Sequence, residues 1–328
     1  MIDYLLQFSW SKNGKTTCDE SYIKKLKGNK LKGIYKAVVE SKNLGSVKEI
    51  NLDRLPTNIE LMTWGFPCTD ISNMGEQKGL KKKSGTKSSL VWRGIEILKK
   101  KKPTFSIIEN VDALVSKKFK EDFYCLLSEM RKSGYNNYWK VINSKNYNVP
   151  QNRNRVFIIS IRKDKDNKTF KFPKSKRLNK CMGDFLLDNP NKKYFLSNKA
   201  KKRYEEKDQK EILERKSREI EVYIKDNFRK TIYQTQGISP TIIESHGDVV
   251  KILDKKRLRK LTPLECFRLM GFEDEDYFKA KQAMEKVFYN GNDRSDSRMY
   301  KMAGNSIVVP VLESIFKELF GLKGDDNN

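Results

Sequence analysis

The amino-acid sequence predicts an α/β protein, in which a doubly wound, mostly parallel sheet is joined by a second, smaller domain. The first observation is that short apolar runs typical of buried strands alternate with helical patterns up to Arg162. The second is a change of composition after that residue, where long polar and basic segments follow. We therefore expect a first domain over residues 1–162, a smaller domain over residues 163–260, and a return to the first domain over residues 261–328.

The strand that organises the first domain is the apolar run Ile59–Phe66, which stops at Pro67 and delivers Cys68 to a loop. Proline cannot donate a hydrogen bond to a sheet, so the strand is expected to end there. Ligands of open α/β sheets bind beyond the carboxyl ends of the strands, which makes Cys68 a candidate reactive residue. The alternative is that Cys68 is a small buried hydrophobic residue, the commoner fate of a free cysteine.

Polar residues adjoin two further apolar runs. Glu109 and Asn110 directly follow the run Phe105–Ile108. The segment Gln151–Arg155 contains two arginines, spaced to share one face, and opens the run Val156–Ile161. Each group is therefore expected at the end of a strand of the same sheet.

Two helix starts stand out near the end of the sequence. Thr262 can cap a helix, Pro263 suits its first position, and Glu265 completes a capping box. Further along, Gly304-Asn305-Ser306 is expected to open a final amphipathic helix, Asn305–Phe320, which should pack back on the first domain.

Composition points to a polyanionic partner. The 328 residues carry a formal net charge of +26 and a pI of about 9.7, with the lysines and arginines spread along the chain. Binding to nucleic acid through phosphate contacts is the simplest explanation, and a merely soluble, lysine-rich surface is the alternative. A mean hydropathy of −0.74 and the lack of a long apolar stretch argue against a membrane-spanning segment.

The cysteines and the single histidine suggest neither a disulfide framework nor a metal site. The five cysteines are odd in number and widely spaced, which fits a reducing cytoplasm. His246 lies in a Ser-His-Gly-Asp stretch and is expected in a surface loop. The N-terminus lacks the basic region and long apolar core of a secretory signal.

Five motifs, in a fixed order, make the chain resemble the cytosine-5 DNA methyltransferase family of bacterial restriction-modification systems. They are GFPCTDIS around Cys68, ENV at Glu109, QNRNRVF at Gln151, TPLECFRLMGF at Thr262 and AGNSI at Ala303. The resemblance implies a methyltransferase fold that uses S-adenosylmethionine, a target-recognition role for residues 163–260, and double-stranded DNA as the substrate. A companion restriction endonuclease is a further expected partner.

The resemblance also assigns roles to individual residues. Cys68 is the expected nucleophile, Glu109 a proton donor to the base, and Arg153 and Arg155 donors to the cytosine carbonyl and a phosphate. The other expected contacts are Gln151 and Asn110 to the substrate, and Pro67, Leu90, Asn305 and Ser306 to the cofactor. The lysine-rich segment Gln77–Ser89 is expected to close over DNA, and no metal enters the scheme.

One family feature is not found before Asn58: the strand and glycine-rich FxGxG turn that hold S-adenosylmethionine. The chain looks as if it begins downstream of the first cofactor motifs, so a separate N-terminal polypeptide is a further expected partner. Two rival functions stay open. One is a truncated or split, non-catalytic DNA-binding remnant, and the other is an RNA cytosine-5 methyltransferase.

Overall fold

The computed structural model describes residues 1–10, 19–72, 78–81, 85–198, 200, 222–224, 231–244 and 249–322. The expected surface loop at His246 therefore lies outside the described residues, as do Gln77 and residues 82–84 of the lysine-rich segment. Two compact units can be distinguished by their internal contacts. The first unit comprises Met1–Ile142, Arg155–Thr169 and Lys286–Asn290, and the second comprises Asn143–Asn154, Phe170–Glu285 and Gly291–Asn328.

The first unit combines helices with a four-stranded sheet. Its helices are α1 (Ile2–Leu6), α2 (Glu20–Lys24), α3 (Gly28–Glu40), α4 (Val91–Lys101) and α5 (Lys120–Lys132). Its strands are β1 (Leu61–Trp64), β2 (Phe105–Val111), β3 (Tyr135–Asn143) and β4 (Asn154–Arg162), of which only the terminal Asn143 and Asn154 belong to the second unit. The strand order is β1-β2-β4-β3.

The direction of the strands follows from the connections between them. β1 and β2 are parallel, with Trp64 opposite Ile108, because α4 lies in the long crossover that joins them. β4 is antiparallel to β2, with Val111 opposite Arg155. Residues 144–153, which join β3 to β4, contain no α-helix and are too few for a parallel crossover. The sheet is therefore mixed, whereas the alternation of strands and helices in the sequence had predicted a mostly parallel sheet.

Helices α4 and α5 bury apolar stripes in the core of the first unit. Val91, Ile95 and Leu98 of α4 are almost inaccessible to solvent, as are Phe123 and Met130 of α5. Helix α4 ends where Lys102 adopts a left-handed conformation, φ +47°, just before Pro103. A smaller apolar cluster at the N-terminus is formed by α1, α2 and α3, and residues 1–10 and 19–60 contain no strand.

The described residues of the second unit include another four-stranded sheet and several helices. Its strands, in the order β5-β6-β7-β8, are β5 (Val222–Ile224), β6 (Ile232–Gln234), β7 (Lys251–Asp254) and β8 (Arg257–Lys260). Its helices are α6 (Pro263–Arg268), α7 (Asp274–Phe288, whose last three residues belong to the first unit), α8 (Asp296–Asn305) and α9 (Val309–Phe320). Lys255 and Lys256 both adopt positive φ angles, +47° and +64°, which suit the tight turn of the β7–β8 hairpin.

The expected helix start at Thr262 is confirmed, whereas the expected start of the last helix is wrong. The Thr262 hydroxyl accepts a hydrogen bond from the Glu265 N–H (3.2 Å), and the Glu265 carboxylate accepts one from the Thr262 N–H (2.6 Å). Asn305 ends α8 instead of opening the final helix, which begins at Val309. The reason is Pro310, which has no N–H to bond the carbonyl of Ser306 in a helix that starts earlier but is tolerated in the first turn.

The contact units do not coincide with the domain boundaries expected at residues 162 and 260. Both α8 and α9 belong to the second unit. The functional division into a catalytic and a target-recognition domain, and the packing of the last helix on the first domain, stay predictions.

A buried ionic network supports the second unit. Arg259 is inaccessible to solvent and donates to Asp254 Oδ2 (2.6 Å) and to both carboxylate oxygens of Glu265 (2.8 and 2.9 Å). Burial alone would lower the pKa of Arg259, but the bonds to Glu265 and Asp254 raise it above its ordinary value. Glu265 also accepts the Leu187 N–H (2.8 Å), so one carboxylate joins the helix start, the hairpin and a distant segment.

We predict that Arg259→Met lowers the free energy of unfolding by about 3–5 kcal/mol, because it leaves the buried Glu265 without its cation. Urea denaturation followed by tryptophan fluorescence measures this. The control is Lys255→Met, which removes an exposed ion pair with Asp188 at 3.6 Å and should cost less than about 1 kcal/mol. Equal losses for the two variants would contradict the role of the network.

Candidate active site

Cys68 lies where strand β1 leaves the sheet of the first unit. The side chain is half-buried and packs against the buried apolar core. Among the other described cysteines, Cys125 is exposed, and burial raises the pKa of the Cys266 thiol well above its ordinary value. Cys68 thus combines partial access with a position at the carboxyl end of a parallel strand, as the sequence predicted.

Asn110 ties the end of β2 to the segment that carries Cys68. Its side-chain amide donates to the carbonyl oxygen of Phe66 (3.0 Å) and accepts from the Val111 N–H (2.8 Å). Asn110 is 3% exposed. The structure therefore gives Asn110 a positioning role, and its expected contact with the substrate stays a prediction.

Glu109 and Arg155 form an ion pair across β2 and β4. Arg155 Nε lies 2.9 Å from Glu109 Oε1, and both side chains are partly accessible. The register explains the contact, since Glu109 is opposite Phe157 and Arg155 is opposite Val111, which places the two side chains diagonally on neighbouring strands. Because β1 and β2 are parallel and adjacent, Glu109, near the carboxyl end of β2, lies at the same end of the sheet as the Cys68 turn.

Gln151 and Arg153 lie in the second unit, where both are buried and hold the backbone. The Gln151 amide donates to the carbonyl oxygen of Leu269 (2.7 Å) and accepts from the Ile242 N–H (2.9 Å). Arg153 donates to the carbonyl oxygens of Ile242 (2.7 Å), Gly304 (3.1 Å) and Ser306 (3.0 Å).

These contacts change the interpretation of the arginine motif. Arg153 and Arg155 were expected to act together, but Arg153 is engaged by carbonyl groups of the second unit and Arg155 by Glu109 of the first. The observed surroundings of Gln151 and Arg153 are those of positioning residues. Their expected roles towards cytosine and phosphate stay predictions.

The residues expected to hold S-adenosylmethionine are distributed over both units. Pro67 is exposed and Leu90 is half-buried at the start of α4, whereas Asn305 is exposed at the end of α8. The Ser306 hydroxyl donates to the carbonyl oxygen of Met302 (2.7 Å). A Cβ atom at Gly304 would overlap backbone atoms of Ile243 and Glu244, so this position requires glycine.

The described residues do not provide a complete site for S-adenosylmethionine. Pro67 and Leu90 offer apolar contacts, but residues 19–60 form helices and irregular segments and offer no strand followed by a carboxylate that could hold the ribose. The expected absence of the first cofactor motifs stays a prediction. In the described part of the chain, no group of His, Cys, Asp and Glu side chains could hold a metal ion. No described helix is long and apolar enough to cross a membrane.

Sequence reasoning missed two residues next to the candidate nucleophile. Asp70 and Ser88 are both buried and are hydrogen-bonded to each other through backbone and side-chain groups. The available signal was an aspartate two residues after Cys68 together with Ser88, which precedes the helically spaced apolar residues of the segment Leu90–Leu98, since carboxylates accept hydrogen bonds at helix starts.

Comparison with known proteins agrees with this fold. A model of the family C-5 cytosine-specific DNA methylase matches residues 8–321. The Type II methyltransferase M2.ScrFI of Lactococcus lactis subsp. cremoris is 37% identical over 321 residues, 98% of this chain and 82% of the relative. The orphan methyltransferase M.SssI of Spiroplasma monobiae is 32% identical over 329 residues, with the same coverage of 98% and 82%.

Among solved structures, the methyltransferase EhMeth of Entamoeba histolytica aligns with a TM-score of 0.57 and 17% identity, over 88% of this chain and 86% of that one. The fold class is therefore the α/β class of methyltransferases, as the sequence predicted. The chain belongs to the C-5 cytosine-specific DNA methylase family, and its enzyme class is DNA (cytosine-5-)-methyltransferase.

We predict that Arg153→Gln lowers the free energy of unfolding by about 2–4 kcal/mol, because buried carbonyl oxygens lose their donors. Thermal unfolding followed by circular dichroism measures the loss. Arg177→Gln is the matched control, since Arg177 is exposed. If Arg153 served only to contact substrate, the two variants would unfold alike.

Proposed function

We propose that this protein methylates carbon 5 of a flipped cytosine in duplex DNA through a covalent adduct with Cys68, with S-adenosylmethionine as the methyl donor. The observation that supports this most directly is that a half-buried cysteine and the Glu109–Arg155 pair lie at the same end of one sheet. The family supplies the reaction class, and the geometry supports the assignment of the residues.

The chemistry requires a nucleophile because carbon 5 of cytosine reacts poorly while the ring is aromatic. The Cys68 thiolate adds to carbon 6, which forms a sulfur–carbon bond and breaks the 5,6 double bond. The displaced electron pair moves through the ring towards nitrogen 3 and makes carbon 5 nucleophilic. A thiolate rather than a thiol is the reacting species.

Glu109 and Arg155 act on the side of the base where this negative charge develops. Glu109 delivers a proton to nitrogen 3 and accepts a hydrogen bond from the exocyclic amine. Arg155, 2.9 Å away, orients the carboxyl group and adds positive charge beside it. Asn110 acts indirectly, since it fixes the backbone at Phe66, two residues before the nucleophile.

Bound S-adenosylmethionine supplies an electrophilic methyl group. The residues of this chain complete the reaction once carbon 5 is methylated. The proton of carbon 5 leaves to solvent, the sulfur–carbon bond breaks, and its electron pair returns to Cys68. The 5,6 double bond re-forms, the proton on nitrogen 3 returns to Glu109, and the aromatic ring is restored.

The remaining elements of the proposal concern DNA and partners. A cytosine stacked in a duplex is inaccessible to Cys68, so the base has to be flipped out. We assign target recognition to residues 163–260, with Gln151 and Arg153 holding the segment around Ile242 in place. A companion restriction endonuclease, a separate N-terminal polypeptide that completes the cofactor site, and action in the cytoplasm belong to the same proposal.

We predict that the wild-type chain releases tritium from duplex DNA containing [5-³H]cytosine, even without a methyl donor. Adduct formation makes carbon 5 accept a solvent proton. Elimination then removes either the proton or the tritium, so tritium is released to solvent, although its bond to carbon breaks more slowly. Cys68→Ser should reduce the release by at least about a hundredfold, because an alcohol is a far weaker nucleophile than a thiolate. Unmethylated genomic DNA is the substrate for this assay, because it contains every short target sequence.

Cys125→Ser serves as the control, because Cys125 is an exposed cysteine on α5. Its release should equal that of the wild type. Binding of DNA without any release would contradict the catalytic proposal and favour the non-catalytic remnant. Release from RNA but not from DNA would favour the RNA methyltransferase.

We predict that DNA affinity falls about 10³–10⁵-fold between 50 and 200 mM salt if six to ten phosphates are neutralised. The net charge of +26 leads us to expect contacts of this order. Fluorescence anisotropy with a labelled duplex measures the slope. A slope near zero would contradict phosphate contacts as the main source of affinity.

A further inference from the structure

The turn that carries Cys68 is closed by hydrogen bonds from a segment some twenty residues further along the chain, at the start of α4. Within the turn, the carbonyl oxygen of Cys68 accepts from the N–H groups of Ile71 (3.0 Å) and Ser72 (2.7 Å). Asp70 is only 5% exposed, although the preceding Thr69 is exposed. The side chain of Asp70 is therefore directed into the protein.

Ser88 is the main partner of Asp70. Asp70 Oδ2 accepts from the Ser88 N–H (2.8 Å), and the Asp70 N–H donates to the Ser88 hydroxyl oxygen (3.2 Å). The same hydroxyl donates to the carbonyl oxygen of Pro67 (2.5 Å). One fully buried serine thus holds the backbone on both sides of Cys68.

A second set of bonds supports the same turn. The carbonyl oxygen of Asp70 accepts from the Gly79 N–H (2.9 Å), and the next residue, Leu80, is fully buried. The Leu80 N–H donates to Asp122 Oδ2 of α5 (2.8 Å). Gly79 has a φ of +80°, and a Cβ there would lie 2.5 Å from Asp122 Oδ2, so glycine is required at this position.

These hydrogen bonds attach the Cys68 turn to helical structure that is packed in the core. Ser88 begins the short 3₁₀ helix that runs directly into α4, and Val91 and Ile95 of α4 are buried in the core. The Asp70 carboxylate therefore acts as a cap of this helical segment as well as a brace of the turn.

We infer that Asp70 and Ser88 are positioning residues for the nucleophile: their mutual hydrogen bonds, here called the clasp, fix the Pro67–Asp70 backbone and so the direction of the Cys68 sulfur. This inference deepens the proposed function and rests on Cys68 being the nucleophile. Effective attack requires reacting atoms held in a narrow range of distance and angle, which a turn attached at Cys68 alone would not provide.

The charge state of Asp70 is consistent with this role. Burial alone would raise the pKa of Asp70, but hydrogen bonds from Ser88 and Thr69 hold it below its ordinary value. The carboxylate is therefore ionised at neutral pH. Its contribution to stability is present above the ordinary carboxyl pKa and is lost as the pH falls through the lowered value.

The test compares Ser88→Ala with Ser133→Ala. The Ser133 hydroxyl donates to the carbonyl oxygen of Glu129 (2.6 Å) at the end of α5, away from the Cys68 turn, which makes it a matched serine control. We expect Ser88→Ala to lower the maximal rate of tritium release about tenfold, through the lost hydrogen bonds and the looser turn, with DNA affinity unchanged. Ser133→Ala should match the wild type in both quantities.

Asp70→Asn provides an independent variant, since it keeps the size of the side chain and removes its charge. Asp70→Asn should also reduce the maximal rate of tritium release and leave the DNA affinity unchanged. In both clasp variants, hydrogen exchange of the peptide containing residues 68–72 should become faster, while peptides from α5 keep their protection. Equal rates and equal exchange in Ser88→Ala and Ser133→Ala would overturn the inference.

Alkylation of Cys68 by iodoacetamide, followed by peptide mass spectrometry without DNA, separates the clasp from the proposed function. We expect alkylation to be severalfold faster in Ser88→Ala than in Ser133→Ala, because the freed turn exposes the sulfur more often. If the wild type releases no tritium, the proposed function fails while this comparison still decides whether the clasp exists. If the wild type releases tritium and the alkylation rates are equal, the clasp alone fails.

Discussion

The parallel pairing of β1 with β2 is the constraint on which the rest of the first unit depends. It sets Trp64 opposite Ile108, so the chain leaves both strands at the same edge of the sheet. The Cys68 turn follows the end of β1, and Glu109 lies within β2 near the same end of the sheet. A shift of one residue in this register would turn every side chain of one strand to the opposite face and separate the sulfur from the carboxylate.

Buried polar residues near this end of the sheet fix the backbone that carries the candidate nucleophile. Asn110 ties β2 to the backbone before Cys68, and Ser88 with Asp70 braces the backbone on either side of it. Each of these contacts joins segments twenty or more residues apart or ends in a backbone group. A buried polar group without a hydrogen-bond partner lowers the stability of the protein. Removing one residue of a bonded pair therefore leaves the other unsatisfied. The site is thus maintained by residues that need not touch the base.

The strands and the positions of the candidate residues at their ends could be predicted because those signals are local. An apolar run followed by Pro-Cys or Glu-Asn is read within ten residues, and the capping box at Thr262 is read within four. The carbonyl partners of Gln151 and Arg153 are different, since Leu269 and Gly304 lie more than a hundred residues away. No local pattern distinguishes an arginine that binds a phosphate from one that binds three carbonyl groups. The start of the last helix was predicted wrongly for a related reason. The apolar pattern begins before Val309, where the helix starts because of Pro310.

The two kinds of basic residue have different tasks in this chain. In the described residues, the buried cations are Arg153 and Arg259, and no lysine is buried. A guanidinium offers five donors in a planar fork and can satisfy several oxygens at once, whereas an ammonium group is compact and strongly hydrated. Arginine therefore suits the interior, where every donor needs a partner. Lysine keeps its charge at the surface, where a polyanion can reach it and where salt screens it. The excess positive charge that suggested a nucleic-acid partner thus resides mainly in side chains that do not hold the fold together, so affinity for DNA and stability of the protein can respond separately to ionic strength.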